Sequence, residues 1–310
     1  MKWEKKGRII SLEDFREISW MQSHMQVPVP LRLENGNYRI YFSCRYEGKS
    51  LPTFVEVDKS TMKIIYKNHE PLLKLGAPGT FDDSGVMVSA IVEREDKIYM
   101  YYIGWNQQIS VSYQNSIGLA ISEDGGISFM KFSEGPILAR SLYDPIFVSS
   151  PYVINIYDKW VLYYLSCTKW IQDNAKMEPI YEIRFATSKD AIHWEVPSSN
   201  VCITGEGEAI ANPCVIKEES LFRMWYSTRK VLDYRENRAN TYRIGYAESD
   251  DGYHWIRKDS EVGIDVSETG WDSEMQTYAN VLKEKDKYIM FYNGNGFGQS
   301  GIGYAESVNN

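Results

Sequence analysis

Hydrophobic and polar positions alternate along this chain in short runs, and one aromatic-rich run returns five times: Tyr38-Arg39-Ile40-Tyr41-Phe42, Ile98-Tyr99-Met100-Tyr101-Tyr102, Trp160-Val161-Leu162-Tyr163-Tyr164, Phe222-Arg223-Met224-Trp225-Tyr226 and Tyr288-Ile289-Met290-Phe291-Tyr292. The central residues Ile40, Met100, Leu162, Met224 and Met290 stand 60, 62, 62 and 66 positions apart. Rings and branched side chains bounded by turn residues predict strands. A repeat of this length carrying strand signals alone predicts small sheets arranged radially. The pattern crosses the whole chain without a break in composition. The expected architecture is therefore all-β: one domain over residues 1–310, a five-bladed β-propeller of four-stranded antiparallel blades.

The second repeat shows the unit most clearly. Val86–Val92, Ile98–Ile103, Ser116–Ser122 and Phe129–Phe132 read as strands, separated by Glu95-Asp96-Lys97, an Asn/Gln/Ser-rich loop and Asp124-Gly125-Gly126. The third strand recurs as Ile183-Arg184-Phe185-Ala186, Ile244-Gly245-Tyr246-Ala247 and Ile302-Gly303-Tyr304-Ala305. A Ser-x-Asp turn and an aromatic follow it: Ser122, Asp124 and Phe129; Ser188, Asp190 and Trp194; Ser249, Asp251 and Trp255. Side-chain bonds to nearby backbone amides would fix such turns, and the ring would plug the gap between blades. These motifs read as scaffold. The last repeat stops after its third strand, while residues 3–11 resemble the fourth-strand run Trp255-Ile256-Arg257-Lys258. The N-terminal strand is therefore expected to complete the last blade and close the ring, removing open sheet edges.

Composition narrows the partners. A formal charge of −8 and no basic patch interleaved with aromatics argue against nucleic acid. No apolar run reaches the ~18 residues that span a bilayer, so no membrane partner is expected. Cys44, Cys167, Cys202 and Cys214 lack metal-ligand spacing and read as reduced thiols of a cytoplasmic protein. No dedicated loop for a cation such as Ca²⁺ stands out, and neither metal nor cofactor is expected.

In a propeller the first strand of each blade lines the central channel, and its N-terminal end reaches one mouth. Alignment of the five runs places Gln22, His24 and Gln26 there from the first repeat; Asp82, Asp83 and Ser84 from the second; Asp144 and Ser150 from the third; Glu206, Glu208 and Asn212 from the fourth; and Asp272, Glu274 and Tyr278 from the fifth. By offset, Asp82, Asp144, Glu206 and Asp272 are equivalent. Converging carboxylates split into protonated and ionised forms, which is what glycoside hydrolysis asks of its acid and its base or nucleophile. Asp82 or Asp83 is the candidate base or nucleophile, and Glu208 or Glu274 the candidate acid. Trp105, Trp170 and Phe297 stand where second strands exit, and Trp105 and Trp170 are the candidate sugar platforms; Arg45 and Arg229 occupy matching exits. The plainer alternative is that acids at strand starts bind turn amides and solvate the rim.

Strand pattern, acidic strand starts and Tyr-rich second strands together resemble the five-bladed propeller glycosidases: arabinanases, xylosidases, invertases and levansucrases, with the mannoside phosphorylases related in architecture. Phe81-Asp82-Asp83-Ser84-Gly85-Val86, the Ser-x-Asp turns and Trp271-Asp272-Ser273-Glu274-Met275 carry the resemblance, which covers nearly the whole chain. It implies an enzyme that cleaves or transfers a glycosidic bond of an oligo- or polysaccharide. It also implies an acid before a proline in the first blade, an acid on the first strand of a later blade and a glutamate near Asn212-Pro213-Cys214. This chain has Gln26-Val27-Pro28, Ser89 and Ser150, and Asn212 there. Either the acids have moved to the positions named above, or the chemistry differs. A non-catalytic carbohydrate-binding propeller, or a relative serving glycan assembly by transfer, is the alternative; a protein-binding propeller ranks below both.

Overall fold

The computed structural model describes residues 1–174 and 176–308. Its strands are β1 (Lys2–Ile10), β2 (Ser23–Arg32), β3 (Tyr38–Tyr46), β4 (Lys49–Val57), β5 (Ile64–Lys67), β6 (Gly85–Arg94), β7 (Lys97–Gln107), β8 (Tyr113–Ser122), β9 (Met130–Lys131) and β10 (Phe147–Ile156). They continue with β11 (Lys159–Asp173), β12 (Lys176–Ser188), β13 (Val201–Ile203), β14 (Glu208–Lys217), β15 (Phe222–Lys230), β16 (Arg243–Ser249), β17 (Ile256–Arg257), β18 (Thr277–Lys283), β19 (Tyr288–Asn293) and β20 (Ile302–Val308). The protein is nearly all β and built of four-stranded antiparallel sheets. Strands β10 to β13 form one sheet, β14 to β17 another, and β18, β19, β20 and β1 a third. Strands β2 to β9 form two more such groups, which a parallel bridge between Ser50 and Gly85 links into one sheet.

The first strands of the five groups touch in succession: β2 with β6, β6 with β10, β10 with β14, β14 with β18, and β18 with β2. Strand β1 runs antiparallel to β20, with Trp3 opposite Ser307 and Lys5 opposite Ala305. Each second strand carries a tyrosine deep in the core: Tyr41, Tyr102, Tyr164, Tyr226 and Tyr292 lie wholly inside.

Two sets of contacts explain the repeated motifs. In each Ser-x-Asp turn the hydroxyl meets the carboxylate, at 2.7 Å for Ser122–Asp124, 2.9 Å for Ser188–Asp190 and 3.0 Å for Ser249–Asp251, and the aspartate accepts the following backbone amides. The turn then docks on the preceding sheet. The hydroxyls of Tyr41, Tyr101 and Tyr163 donate to the carbonyls of Gly126, Ala191 and Gly252. Phe129, Trp194 and Trp255 pack edge-on against the same three tyrosines, with centroids 5.9, 6.3 and 5.8 Å apart.

The glycine of the third-strand motif has a steric cause. A Cβ at Gly118 would stand 2.2 Å from the Tyr102 ring, and one at Gly245 would stand 2.2 Å from Tyr226. All four cysteines are buried and free of disulfides.

Candidate functional site

The acids that sequence offset makes equivalent serve the scaffold. Asp82, Asp144 and Asp272 each accept the hydroxyl of the tyrosine twenty positions downstream, at 3.2 Å from Tyr102, 3.1 Å from Tyr164 and 3.0 Å from Tyr292. Each also meets a cation: Lys131 at 2.5 Å, Arg184 at 3.4 Å and Lys5 at 2.9 Å. Burial pushes the Asp272 carboxyl up, but hydrogen bonds from Lys5, Ser267 and Gln276 outweigh it and hold the group low. Glu206 departs from the set. It is exposed, and Asp259 takes its place beside Tyr226 (2.5 Å) and Arg257 (2.6 Å). The first group has Gln22 and Phe42 at the matching positions, so acid and hydroxyl are absent together. An acid required in nearly every sheet is a packing device.

The other candidate acids stand apart as well. Asp83 accepts the Gly79 amide at 2.9 Å and the Ser84 hydroxyl at 2.8 Å, closing its own turn. Glu208 is tied to Arg257 at 2.8 Å and Lys230 at 3.0 Å. Glu274 is exposed at the surface. The expected convergence of Asp82, Asp83, Glu208 and Glu274 on one cavity is therefore corrected: none of the four lines it.

The cavity itself encloses about 320 Å³. All five first strands build it from their N-terminal halves: Gln26 and Val27 of β2, Met87 of β6, Phe147, Ser149 and Ser150 of β10, Ala211 and Asn212 of β14, and Tyr278 of β18. Second strands add Arg45, Ile103, Trp105 and Leu165. Of the residues singled out in the sequence, Gln26, Arg45, Trp105, Ser150, Asn212, Tyr278 and Phe297 come together here. His24, Asp144, Trp170, Glu206, Arg229 and Asp272 do not line it. Trp170 packs behind the lining rings of Tyr113 (5.5 Å) and Phe147 (5.9 Å). His24 bonds Ser23 at 2.9 Å, and burial together with the nearby Arg45 pushes its imidazole down to about 4.

The cavity floor is a set of β-bulges. Pairing slips between Gln26 and Val29, between Ser149 and Tyr152, between Ala211 and Cys214, and between Thr277 and Asn280. Within those slips Val27, Ser150, Asn212 and Tyr278 take φ values of 58°, 50°, 51° and 56°. Left-handed backbone at non-glycine residues costs about 1–3 kcal/mol each and gathers at functional sites. The strain turns these side chains into the cavity, where Asn212 donates to the Ser150 hydroxyl at 3.2 Å. Gln26, Ser150 and Asn212 therefore occupy the places where the family resemblance leads one to expect acids. Ser89, the other such position, instead donates to the Pro151 carbonyl at 2.9 Å.

Sequence reasoning missed the opposite wall. Tyr113 and Asn115 reach it from β8, Tyr181 from β12, and Tyr234, Arg235 and Tyr242 from the loop between β15 and β16. Glu178 organises this wall: it accepts the Tyr234 hydroxyl at 2.6 Å and a fork from Arg235 at 2.6 and 3.1 Å. Burial raises its carboxyl, but those hydrogen bonds win and keep it below the usual range. Arg229 lies wholly buried behind, 3.8 Å from the Tyr234 ring centre, and bonds the Tyr181 and Tyr242 hydroxyls at 3.3 and 3.2 Å. The available signal was the Tyr- and Arg-bearing loop of the fourth repeat, which stretches the spacing from Met224 to Met290 to 66; the long β11 and β12 leave the spacing at 62.

Aromatic walls, amides, hydroxyls and guanidiniums suit a polyhydroxylated ligand, since rings stack on C–H faces and the polar groups bind hydroxyls. Among the described residues no group of three or more His, Cys, Asp or Glu side chains is placed to hold a metal.

No protein-family model matches the chain. Two proteins of Mycobacterium tuberculosis, "Uncharacterized protein MT1551" of strain CDC 1551 / Oshkosh and "Uncharacterized protein Rv1502" of strain ATCC 25618 / H37Rv, are each 36% identical to it over 310 residues, covering 98% of this chain and 99% of theirs. Among solved structures, an RGII complex of BT0996 has a TM-score of 0.73 at 14% identity, covering 99% of this chain and 91% of its own. The β-1,2-mannobiose phosphorylase of Listeria innocua has a TM-score of 0.71 at 12% identity, covering 99% and 96%. A GH43_1 enzyme of Xanthomonas citri complexed with xylose has a TM-score of 0.62 at 15% identity, covering 93% and 87%. With the three solved proteins the chain shares its fold; by sequence it belongs to one family with the mycobacterial proteins MT1551 and Rv1502.

Proposed function

We propose that this protein recognises a saccharide in the cavity at the first-strand ends, and that it does so without the carboxylate pair of an ordinary glycosidase. The observation that carries this reading is the lining. Rings, amides, hydroxyls and two arginines face the cavity, and no described Asp or Glu is among its lining residues. Hydrolysis by the usual route needs two carboxyl groups flanking the scissile bond, about 5–5.5 Å apart for retention or 6.5–9.5 Å for inversion. Asp82 and Glu208 are bound up in ion pairs instead.

The architecture proposed with it is one domain over 1–310: five blades, with β1 closing the ring as the fourth strand of the last. Its support is the return of contact from β18 to β2 and the antiparallel pairing of β1 with β20.

Titration calorimetry against a panel of mono- and oligosaccharides, run beside chromogenic glycosides, tests the function. Saturable binding with no released aglycone is expected. Absence of binding to every saccharide overturns the reading. Turnover that disappears in Asp83→Asn or Glu208→Gln, with the protein still folded, restores those acids to a catalytic role.

A second reading keeps glycoside cleavage. Tyr234 lines the cavity with its hydroxyl 2.6 Å from Glu178, and a tyrosine nucleophile is one known departure from the two-carboxylate scheme. On this reading turnover vanishes in Tyr234→Phe while saccharide binding persists.

A further inference from the structure

We propose that the saccharide taken by this cavity is anionic, and that Arg45 pairs with its carboxylate or phosphate. The inference rests on the saccharide-binding reading and names the ligand class. The protein as a whole carries a formal charge of −8, yet the charge around the cavity is reversed. Arg45 and Arg235 line it and Arg229 lies directly behind, against the single carboxylate of Glu178.

The three arginines are not equivalent. Arg235 is neutralised by its fork to Glu178. Arg229 is enclosed by three tyrosine rings and spends its donors on Tyr181, Tyr242 and the carbonyls of Pro179 and Lys230. Arg45 has one weak bond, from Nε to the Gln26 side chain at 3.3 Å, and among the described residues it forms no ion pair. It is partly buried at the end of β3, and burial lowers its pKa. A partly desolvated guanidinium without a carboxylate is costly unless a counter-charge arrives. Its planar fork matches carboxylate and phosphate oxygens, and low dielectric strengthens the pair. Trp105 and Tyr278 line the same cavity and offer rings for the sugar face.

Calorimetry with glucuronate, glucose 6-phosphate and methyl glucoside tests this on the full chain, with Arg45→Gln and Arg45→Lys alongside. At least one acidic sugar is expected to bind tenfold or more tighter than methyl glucoside, with a preference that weakens as salt rises. Arg45→Gln should erase that preference, and Arg45→Lys should keep part of it. Which of the two acidic sugars wins separates carboxylate from phosphate. Equal affinity for neutral and acidic sugars in the parent protein overturns the anion assignment and leaves saccharide binding standing. A preference unchanged in folded Arg45→Gln overturns the role of Arg45. Failure of all three sugars, and of the wider panel, removes both readings.

Discussion

The Lys5 ammonium stands 2.9 Å from the Asp272 carboxylate, although 267 residues separate them along the chain. The pair has counterparts. Lys5 lies opposite Ala305, as Lys131 lies opposite Ala120, Arg257 opposite Ala247 and Lys67 opposite Val55. Strand β1 thus supplies the cation that β9 and β17 supply elsewhere. Where acid and hydroxyl are both missing, Lys67 turns to Glu17 at 2.8 Å instead.

Removing one partner of a buried pair leaves the other uncompensated. Asp272 is buried, so Lys5→Met is expected to cost about 3–5 kcal/mol in urea unfolding. Adding Asp272→Asn to that variant should restore part of the loss. Equal stability of Lys5→Met and the parent would deny the pair any structural role.

Trp3 stands two positions before Lys5, as Phe129 stands before Lys131 and Trp255 before Arg257. It packs edge-on against Trp225 at 6.0 Å, repeating the inter-sheet plug. Trp3→Ala is expected to lose about 3–5 kcal/mol. Deleting residues 1–10 should lower the melting temperature far more than trimming an ordinary tail; an unchanged melting curve would count against the fourth-strand role of β1.

Gly118→Ala places a methyl against the Tyr102 ring, and overpacking of this kind costs about 1–3 kcal/mol. Gly135→Ala meets nothing within 4 Å and should be close to neutral. Thermal melts of the two variants side by side discriminate; similar effects would refute the steric account of the motif.

His24 carries a pH dependence. Burial and Arg45 hold its folded imidazole down at about 4, against about 6.5 when unfolded. Between those values the unfolded chain binds the extra proton, so stability should fall as pH drops from 6.5 towards 4 and be complete above 6.5. His24→Gln should flatten that limb of the urea midpoint against pH. A parent protein equally stable at both ends of the window would contradict it.

Strands, turns and plugs were legible because every sheet must solve the same packing problem with the same residues. Asp82, Asp144 and Asp272 misled for that very reason: their common offset to Tyr102, Tyr164 and Tyr292 is the mark of a repeated staple. A binding site is needed once. Its informative residues, Tyr234 and Arg235, lie in a loop longer than the matching connections after β3, β7 and β19, and Glu178 lies on an unusually long hairpin. Ser150 and Asn212 were placed at the cavity by alignment, but the left-handed backbone that aims them inward has no signature in residue type.

The pairing of β1 with β20 also sets an order of assembly. Strand β1 is synthesised long before β20, so it is seated only after the chain between them has emerged, and until then the outer edge of β20 stays open as a template for stray strands. A crowded nascent population can therefore exchange β1 between copies, giving swapped dimers whose individual sheets are indistinguishable from those of the monomer.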